Sequence, residues 1–459
     1  MIMPKKDAGQ AVVVVALALV VILAFLGLGL DLGYLRMKRR QIQKAADAAA
    51  LAGSLELTYC GGTSNCSALT TAAQNALTEN GFSSSTLVIN CGASSDNLVI
   101  TVNNPPCYLG ANDPHNGDAR YVEVIVSQVE PLMFTKVLGI SNTTMKARAE
   151  AGLGNSSNCF YVLGSSGTDL TVSGSVQLKV PGCGVYVNSS ATTAPNAAVE
   201  VTGSSSITAA SVNIVGHAAT SGTSTISPTP TTGVPPAGDP LAYLSKPAYT
   251  ACPTGVAQLS IGGITTQTLT PGNYCGGISI ANSAVVTFSP GNYVVAKGIQ
   301  IGGAAKVTFG AGTYVMEGGG FSVGNSGQAT GSGVTVFLTG DSNFSYGPAN
   351  FSGAAVVQLI APTSGSYAGI LFFQDSAATG ATSPTSGNTS NFGGSASTYF
   401  QGALYFPTTG IVYSGASTAQ YTILVANQVT VSNSATINND YSSLASGTPI
   451  KGTGGILGE

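Results

Sequence analysis

Residues 11 to 30, AVVVVALALVVILAFLGLGL, run for twenty positions without a charged side chain. At about 1.5 Å per residue, a helix of this length reaches roughly 30 Å, the thickness of a bilayer hydrocarbon core. A soluble amphipathic helix needs a polar face, and this stretch has none. A cleaved signal peptide needs a shorter apolar core with a small-residue site close behind it. Here the nearest good Ala-x-Ala, Ala50-Leu51-Ala52, lies beyond Arg36, Lys38, Arg39, Arg40 and Lys44. The segment that starts at Ala11, passes Val20 and ends at Leu30 therefore reads as a single uncleaved membrane anchor. The basic residues behind it, counted alone, favour a cytoplasmic C-terminal side, but that rule weakens for long translocated domains. The expected placement is a single pass through the inner (plasma) membrane. The N-terminus is expected to be cytoplasmic and the bulk of the chain periplasmic or extracytoplasmic, with the basic count standing against this orientation.

Cysteines support export. All eight, Cys60, Cys66, Cys91, Cys107, Cys159, Cys183, Cys252 and Cys275, follow the anchor. An even number outside the cytoplasm predicts disulfides. Pairing between sequence neighbours, 60–66, 91–107, 159–183 and 252–275, is the simplest of the many connectivities available. No Cys-x-x-Cys occurs, and the two histidines, His115 and His217, are far apart, so no metal or other cofactor is expected. Only 8% of the 459 residues are charged and the net charge is −3, which leaves no basic surface for nucleic acid. The apolar share of 44% is too high for a disordered chain.

Residues 31 to 57 continue as helix, rich in Ala, Leu, Gln, Lys and Arg and free of Pro. Residues 1–57 are thus expected to form an anchor and a helical stalk. On it Ala45, Ala46, Ala49 and Ala50 offer a small face for packing against another helix. The alternative is a solvated stalk whose basic collar touches lipid headgroups. The order of features here is an apolar anchor, then Asp31-Leu32-Gly33-Tyr34-Leu35, then Arg39-Arg40-Gln41-Ile42-Gln43-Lys44-Ala45-Ala46-Asp47-Ala48-Ala49-Ala50-Leu51-Ala52-Gly53. It resembles the N-terminal segment of TadG-like proteins of the tight-adherence (Flp) pilus assembly system. The resemblance implies a non-catalytic bacterial envelope protein whose partners are the lipid bilayer and other pilus assembly proteins. Two family features are missing. Pilin-type precursors of this system are cut after a Gly that has a Glu five residues on, and here Val14 stands five residues after Gly9. A processed fibre subunit is therefore not implied. Larger relatives carry a von Willebrand type A domain with an Asp-x-Ser-x-Ser metal motif, which is absent here, so metal-dependent adhesion is not carried over.

Residues 58–155 read as a small α/β domain near the membrane. Ser67 to Glu79 predicts a helix stopped near Gly81, and 98–102, 121–126 and 143–151 predict strands, with a short helix over 132–138 ended by Gly139. Asp113, His115 and Asp118 share a turn-rich loop, which reads as solvated more readily than as a metal site. From about Cys159 onward, Gly-bounded β segments dominate. Pro271-Gly272-Asn273-Tyr274 recurs as Pro290-Gly291-Asn292-Tyr293 and as Ala311-Gly312-Thr313-Tyr314, at spacings of 19 and 21 residues. Between them come Val285-Val286-Thr287-Phe288 and Val307-Thr308-Phe309. A period near twenty with short strands predicts a β-solenoid, right-handed β-helix-like, over 156–459, with an antiparallel β-sandwich as the rival. The Pro/Thr/Ser-rich stretch 219–250 reads as a long loop leaving and rejoining the same body. The fold class expected is mixed but mainly β.

Solenoids include carbohydrate-active enzymes, which need paired carboxyls. The acids after residue 155 are scattered; Glu317 and Asp341 on neighbouring coils, or Asp375 at a strand end, are the candidates, and Arg is absent from the region. The expectation is no enzyme. The exposed Ser, Thr, Asn and Tyr residues suit binding to surface glycans or another protein, which makes an adhesin the second reading.

Overall fold

Ala8–Leu55 forms one continuous helix, α1, in the computed structural model of the chain. The structure describes residues 8–458 apart from 61–62, 84–86, 89–90, 92–96, 156, 194–195, 382–386, 394, 396, 415–418 and 445–446. Beyond α1 and one shorter helix the chain is mainly β. It divides into two compact units, residues 1–154 with 454–459, and residues 155–453.

In the first unit α1 is followed by a 3-10 turn (Glu56–Tyr59) and by α2 (Ser67–Glu79). Leu69, Ala73 and Leu77, spaced four apart, give α2 one apolar face, and all three are buried. Asn80 caps the helix and Gly81 turns the chain at φ +86°, a conformation Gly adopts without a Cβ clash. The sheet order is β1 (Leu87–Val88), β2 (Leu98–Asn103), β3 (Tyr121–Pro131), β4 (Asn142–Asn155), then the C-terminal strand Lys451–Gly458. The pair β1–β2 is parallel, while β2–β3 and β3–β4 are antiparallel. The predicted short helix over 132–138 is a 3-10 turn at Thr135–Leu138, closed by Gly139 at φ +88°.

In the second unit every pairing between described strands is parallel, not the antiparallel arrangement a sandwich requires. Most short strands pair with the third one further along the chain. Ile278–Ile280 lies on Ile299–Ile301, that on Phe321–Val323, and that on Ala349–Phe351. The sequence repeat becomes vertical stacking. Phe288 is in register with Phe309, with rings 4.8 Å apart and 12° from parallel, and Tyr293 with Tyr314 at 4.9 Å and 2°. In strands such as the alternately buried Lys306–Phe309 the apolar residues point into a shared core and their neighbours point out, while Tyr293–Ala296, Val334–Thr339 and Ile370–Gln374 are buried throughout. The turn after each of four stacked strands needs a left-handed residue. It is supplied by Asn282 (φ 60°), Gly303 (φ 64°), Asn325 (φ 55°) and Gly353 (φ 69°), the residue types that tolerate this conformation.

Stacking order differs from chain order. The unit's first strand, Asn158–Val162, pairs with Gly184–Val187 on one side and with Thr422–Val431 on the other. The stack therefore runs from Leu259–Ile261 up to Thr422–Val431 and then on through the N-terminal strands to Thr231–Thr232. The expected loop 219–250 begins inside this stack, for Ala218–Thr220, Thr225–Ser227 and Thr231–Thr232 are strands. Residues 233–258 carry no strand and form a strap along the stack. Pro235 accepts from the Tyr186 hydroxyl, Asp239 from Tyr405 Oη at 2.6 Å, and Ser245 O from Tyr367 Oη at 2.9 Å. Lys246 pairs with Asp375 at 2.7 Å, and the Cys252 amide donates to Glu317 at 2.8 Å.

All four disulfides join sequence neighbours as expected: Cys60–Cys66, Cys91–Cys107, Cys159–Cys183 and Cys252–Cys275, with Cα separations of 5.5, 6.0, 5.7 and 5.2 Å. Each closes a short loop within one unit, and the last pins the end of the strap.

Candidate functional site

The helix α1 changes environment along its length. From Val12 to Leu26 its apolar side chains lie in the open, Val20 at 63% and Phe25 at 71% exposure, and Leu30 is likewise exposed. The side chain of Ala11 lies outside the described residues. This is the one described helix long and apolar enough to cross a membrane. From Ile42 onward the same helix is core. Ala45, Ala46, Ala49 and Ala50 are fully buried with Leu69 and Ala73 of α2 and with Val122 and Val124 of β3. The face expected to receive a partner helix is thus occupied inside the chain, because the sheet and α2 that follow supply a closer apolar surface. Arg36, Arg39, Arg40 and Lys44 remain exposed.

Between the open and the buried halves, polar contacts fasten α1 to the β3–β4 hairpin. The Asp31 carboxylate accepts the amides of Met133 (3.1 Å), Phe134 (3.0 Å) and Thr135 (2.8 Å) and the Thr135 hydroxyl (2.8 Å). One turn on, Tyr34 Oη donates to Glu130 at 2.8 Å, and Lys38 Nζ lies 3.5 Å from the same carboxylate. Further along, Gln43 Nε2 donates to the Arg148 carbonyl at 3.0 Å. Contacts at residues 31, 34 and 38 follow one helical face, as a spacing of three to four residues per turn requires, and Gln43 lies off that line. The sequence carried the signal in Asp31 and Tyr34, but the partners lie a hundred residues downstream.

A second polar cluster sits at the far end of β3. Arg148 on β4 is ion-paired with Asp113, Glu123 and Glu150, and His115 Nδ1 lies 3.0 Å from Glu150 while its ring stacks on Tyr121 at 3.7 Å. The loop holding Asp113 and His115 is therefore docked on the sheet and not solvated. Asp118 is not part of this cluster and pairs with Arg120. Burial pushes the Glu150 carboxyl up. Burial acts the same way on Asp113, but its hydrogen bonds with Glu150 and the His115 amide and the Arg148 charge outweigh it, so that carboxyl is lowered. Asp113, His115 and Glu150 are close enough to share a cation, yet Arg148 already lies among the acids and satisfies them. The arrangement holds a loop on a sheet.

In the second unit Glu317 is in register with Thr339 on the next stacked strand, and Thr339 Oγ1 donates at 2.9 Å to Asp375, just past the end of Ile370–Gln374. Glu317 is fully buried, and burial raises its carboxyl. Asp341 accepts the amides of Asn343 and Phe344, both at 2.7 Å. Asp341 and Asp375 thus have backbone or strap partners, whereas Glu317, beyond the Cys252 amide, is raised further by the neighbouring Asp341, and its Oε1 has no hydrogen-bond partner among the described residues. His217 is remote in the chain and exposed. On another face Ser279, Gln300, Ser322 and Asn350 form a polar ladder along a shallow groove, one residue per stacked strand.

Residues 9–76 match the family described as Putative Flp pilus-assembly TadE/G-like. No curated protein and no solved structure matches the chain.

Proposed function

We propose that this chain, a TadE/G-like protein over residues 9–76, is a non-catalytic, membrane-anchored component of Flp pilus assembly or anchoring in the bacterial envelope. One observation carries the reading. The matched segment includes α1, which is at once the apolar helix and, from Ile42 on, part of the core of the first unit, so the unit folds on its own anchor. Four disulfides favour an oxidising compartment for everything after the helix, with the N-terminus cytoplasmic. Parallel stacking of every third strand, with like residues in register, supports a β-solenoid, right-handed β-helix-like, for the second unit. Backbone and strap partners on Asp341 and Asp375 favour a scaffold over an enzyme. The test is a clean deletion with complementation in the native host, counting fibres by electron microscopy. Loss of fibres that return with the gene is expected, and normal fibre numbers sink the assembly role.

The polar ladder through Ser279 and Asn350 favours a second reading, a surface adhesin that binds glycans through the β unit. Normal fibres together with lost attachment in the same deletion would select it.

A further inference from the structure

The loop joining β3 to β4 departs from what a solvated hairpin needs. Connecting loops are normally polar, because they run through water. Here Met133 is 75% exposed, Phe134 47%, Val137 89% and Ile140 54%, four large apolar side chains in one short tip. The backbone of the tip is nevertheless closed on itself. Val137 N donates to Phe134 O at 3.1 Å, Gly139 N to Lys136 O at 3.0 Å, and Leu132 N to Ser141 O at 3.0 Å. A loop that satisfies its own amides and shows apolar side chains is suited to a medium poorer in hydrogen-bond partners than water.

Its position along α1 identifies that medium. The three tip amides and the Thr135 hydroxyl are bound by Asp31, the first residue after the apolar stretch. Phe134 packs over Gly27, where a Cβ would stand 2.8 Å from the Phe134 Cβ, so glycine is what allows the approach. Gly27 lies three residues inside the stretch that ends at Leu30, which at 1.5 Å per residue is about 5 Å below its edge. We propose that the β3–β4 tip is a second membrane-inserting element, locked to the span by Asp31 and placing Met133, Phe134, Val137 and Ile140 in the lipid interface. The occupant of this apolar surface is the bilayer itself. Interfacial segments bury their apolar side about 5 to 10 Å deep, which matches the level of Gly27. Lys136, exposed in the same tip, reaches back to headgroups, and the Tyr34–Glu130–Lys38 contacts lie one to two turns further out. Asp31 thereby has a physical reason to stand at the edge of a membrane span. Its charge is buried, but four donors compensate it.

This inference rests on residues 11 to 30 spanning a bilayer, and the experiment separates the two claims. The chain contains no tryptophan, so a single introduced one is an unambiguous reporter. Full-length chain carrying Val137→Trp, Val20→Trp or Tyr108→Trp is reconstituted into phosphatidylcholine vesicles whose acyl chains are brominated either near the headgroup or near the chain end. Val20→Trp reports the span. Tyr108→Trp reports water, since the Tyr108 amide is bound by Glu123 at the other end of β3. The expected result is a blue-shifted Val137→Trp emission that loses about half its intensity to shallow bromine and less to deep bromine. Ile140→Trp repeats the measurement at a second tip position. Gly27→Leu in the Val137→Trp background reduces the quenching by displacing Phe134. Water-like, unquenched emission from both tip positions beside a quenched Val20→Trp overturns the inserted tip and leaves the anchor standing, the outcome expected if another protein covers the tip. Deeper than shallow quenching at the tip overturns the interfacial placement. An unquenched Val20→Trp overturns the span, and the inserted tip with it.

Discussion

Asp169 shows how one side chain can set the response of the β unit to pH. It is 5% exposed, and its Oδ2 has no hydrogen-bond partner among the described residues. Burial pushes its carboxyl up to about 7. A carboxyl whose folded pKa lies above its unfolded value stabilises the fold as the neutral acid. That contribution is complete below about pH 4 and is lost as pH rises through about 7. Each pKa unit is worth about 1.4 kcal/mol, so the effect is on the order of a few kcal/mol. The melting temperature of the wild type should therefore fall between mildly acidic and mildly alkaline buffer, and Asp169→Asn should flatten most of that fall. Asp239, raised by burial to about 6 and held by Tyr405 and the Leu241 amide, titrates the same way in both proteins and leaves a residual slope. Parallel slopes for the two proteins would refute the assignment. None of this was legible in the sequence, where Asp169 is one of several scattered acids. Its environment comes from strands far away in the chain, the Val429 amide donating to its carbonyl at 2.7 Å.

Elements were legible to the extent that their signals are local. The start, length and apolar character of α1, the stop of α2 near Gly81, and the stacked Phe288–Phe309 and Tyr293–Tyr314 pairs follow from residues close in the chain. The alanine face of α1 was readable as a packing face, but not its partner, because α2 and β3 come later and nothing in the spacing of alanines names them. That face now predicts a folding defect. Ala49 is fully buried, and Ala49→Leu overpacks the first unit at a cost of typically about 1–3 kcal/mol. The detergent-solubilised chain should melt several degrees lower while membrane insertion is unchanged. An unaltered melting temperature combined with lost fibres would instead mean that the face serves another protein. The loop of Asp113 and His115 was read as solvated because its counterparts, Arg148 and Glu150, belong to a strand thirty-odd residues on.

The architecture of the whole molecule was hidden for a topological reason. Sequence repeats show which segments resemble one another, not where a stack begins, and here the first strand of the β unit is inserted beside one of the last. The order of that stack has a mechanical consequence. Under tension a linear stack is weakest where its free end can be peeled, one interface at a time. In this unit the chain enters at Asn158–Val162, which is paired on both sides, and leaves after Ala435–Thr436, which pairs with Gln177–Val180, while the outermost strands are tied together by the strap 233–258. A pull on the N-terminal end must first tear out a strand held on both sides. Single-molecule extension through residues 155 and 453 should therefore open with its highest force peak. A permutant cut within the strap and pulled from the new ends should lose that peak and yield layer by layer; identical traces would deny the interior attachment any protective role. The winding order thus hides the frayable edges of the fold from the load.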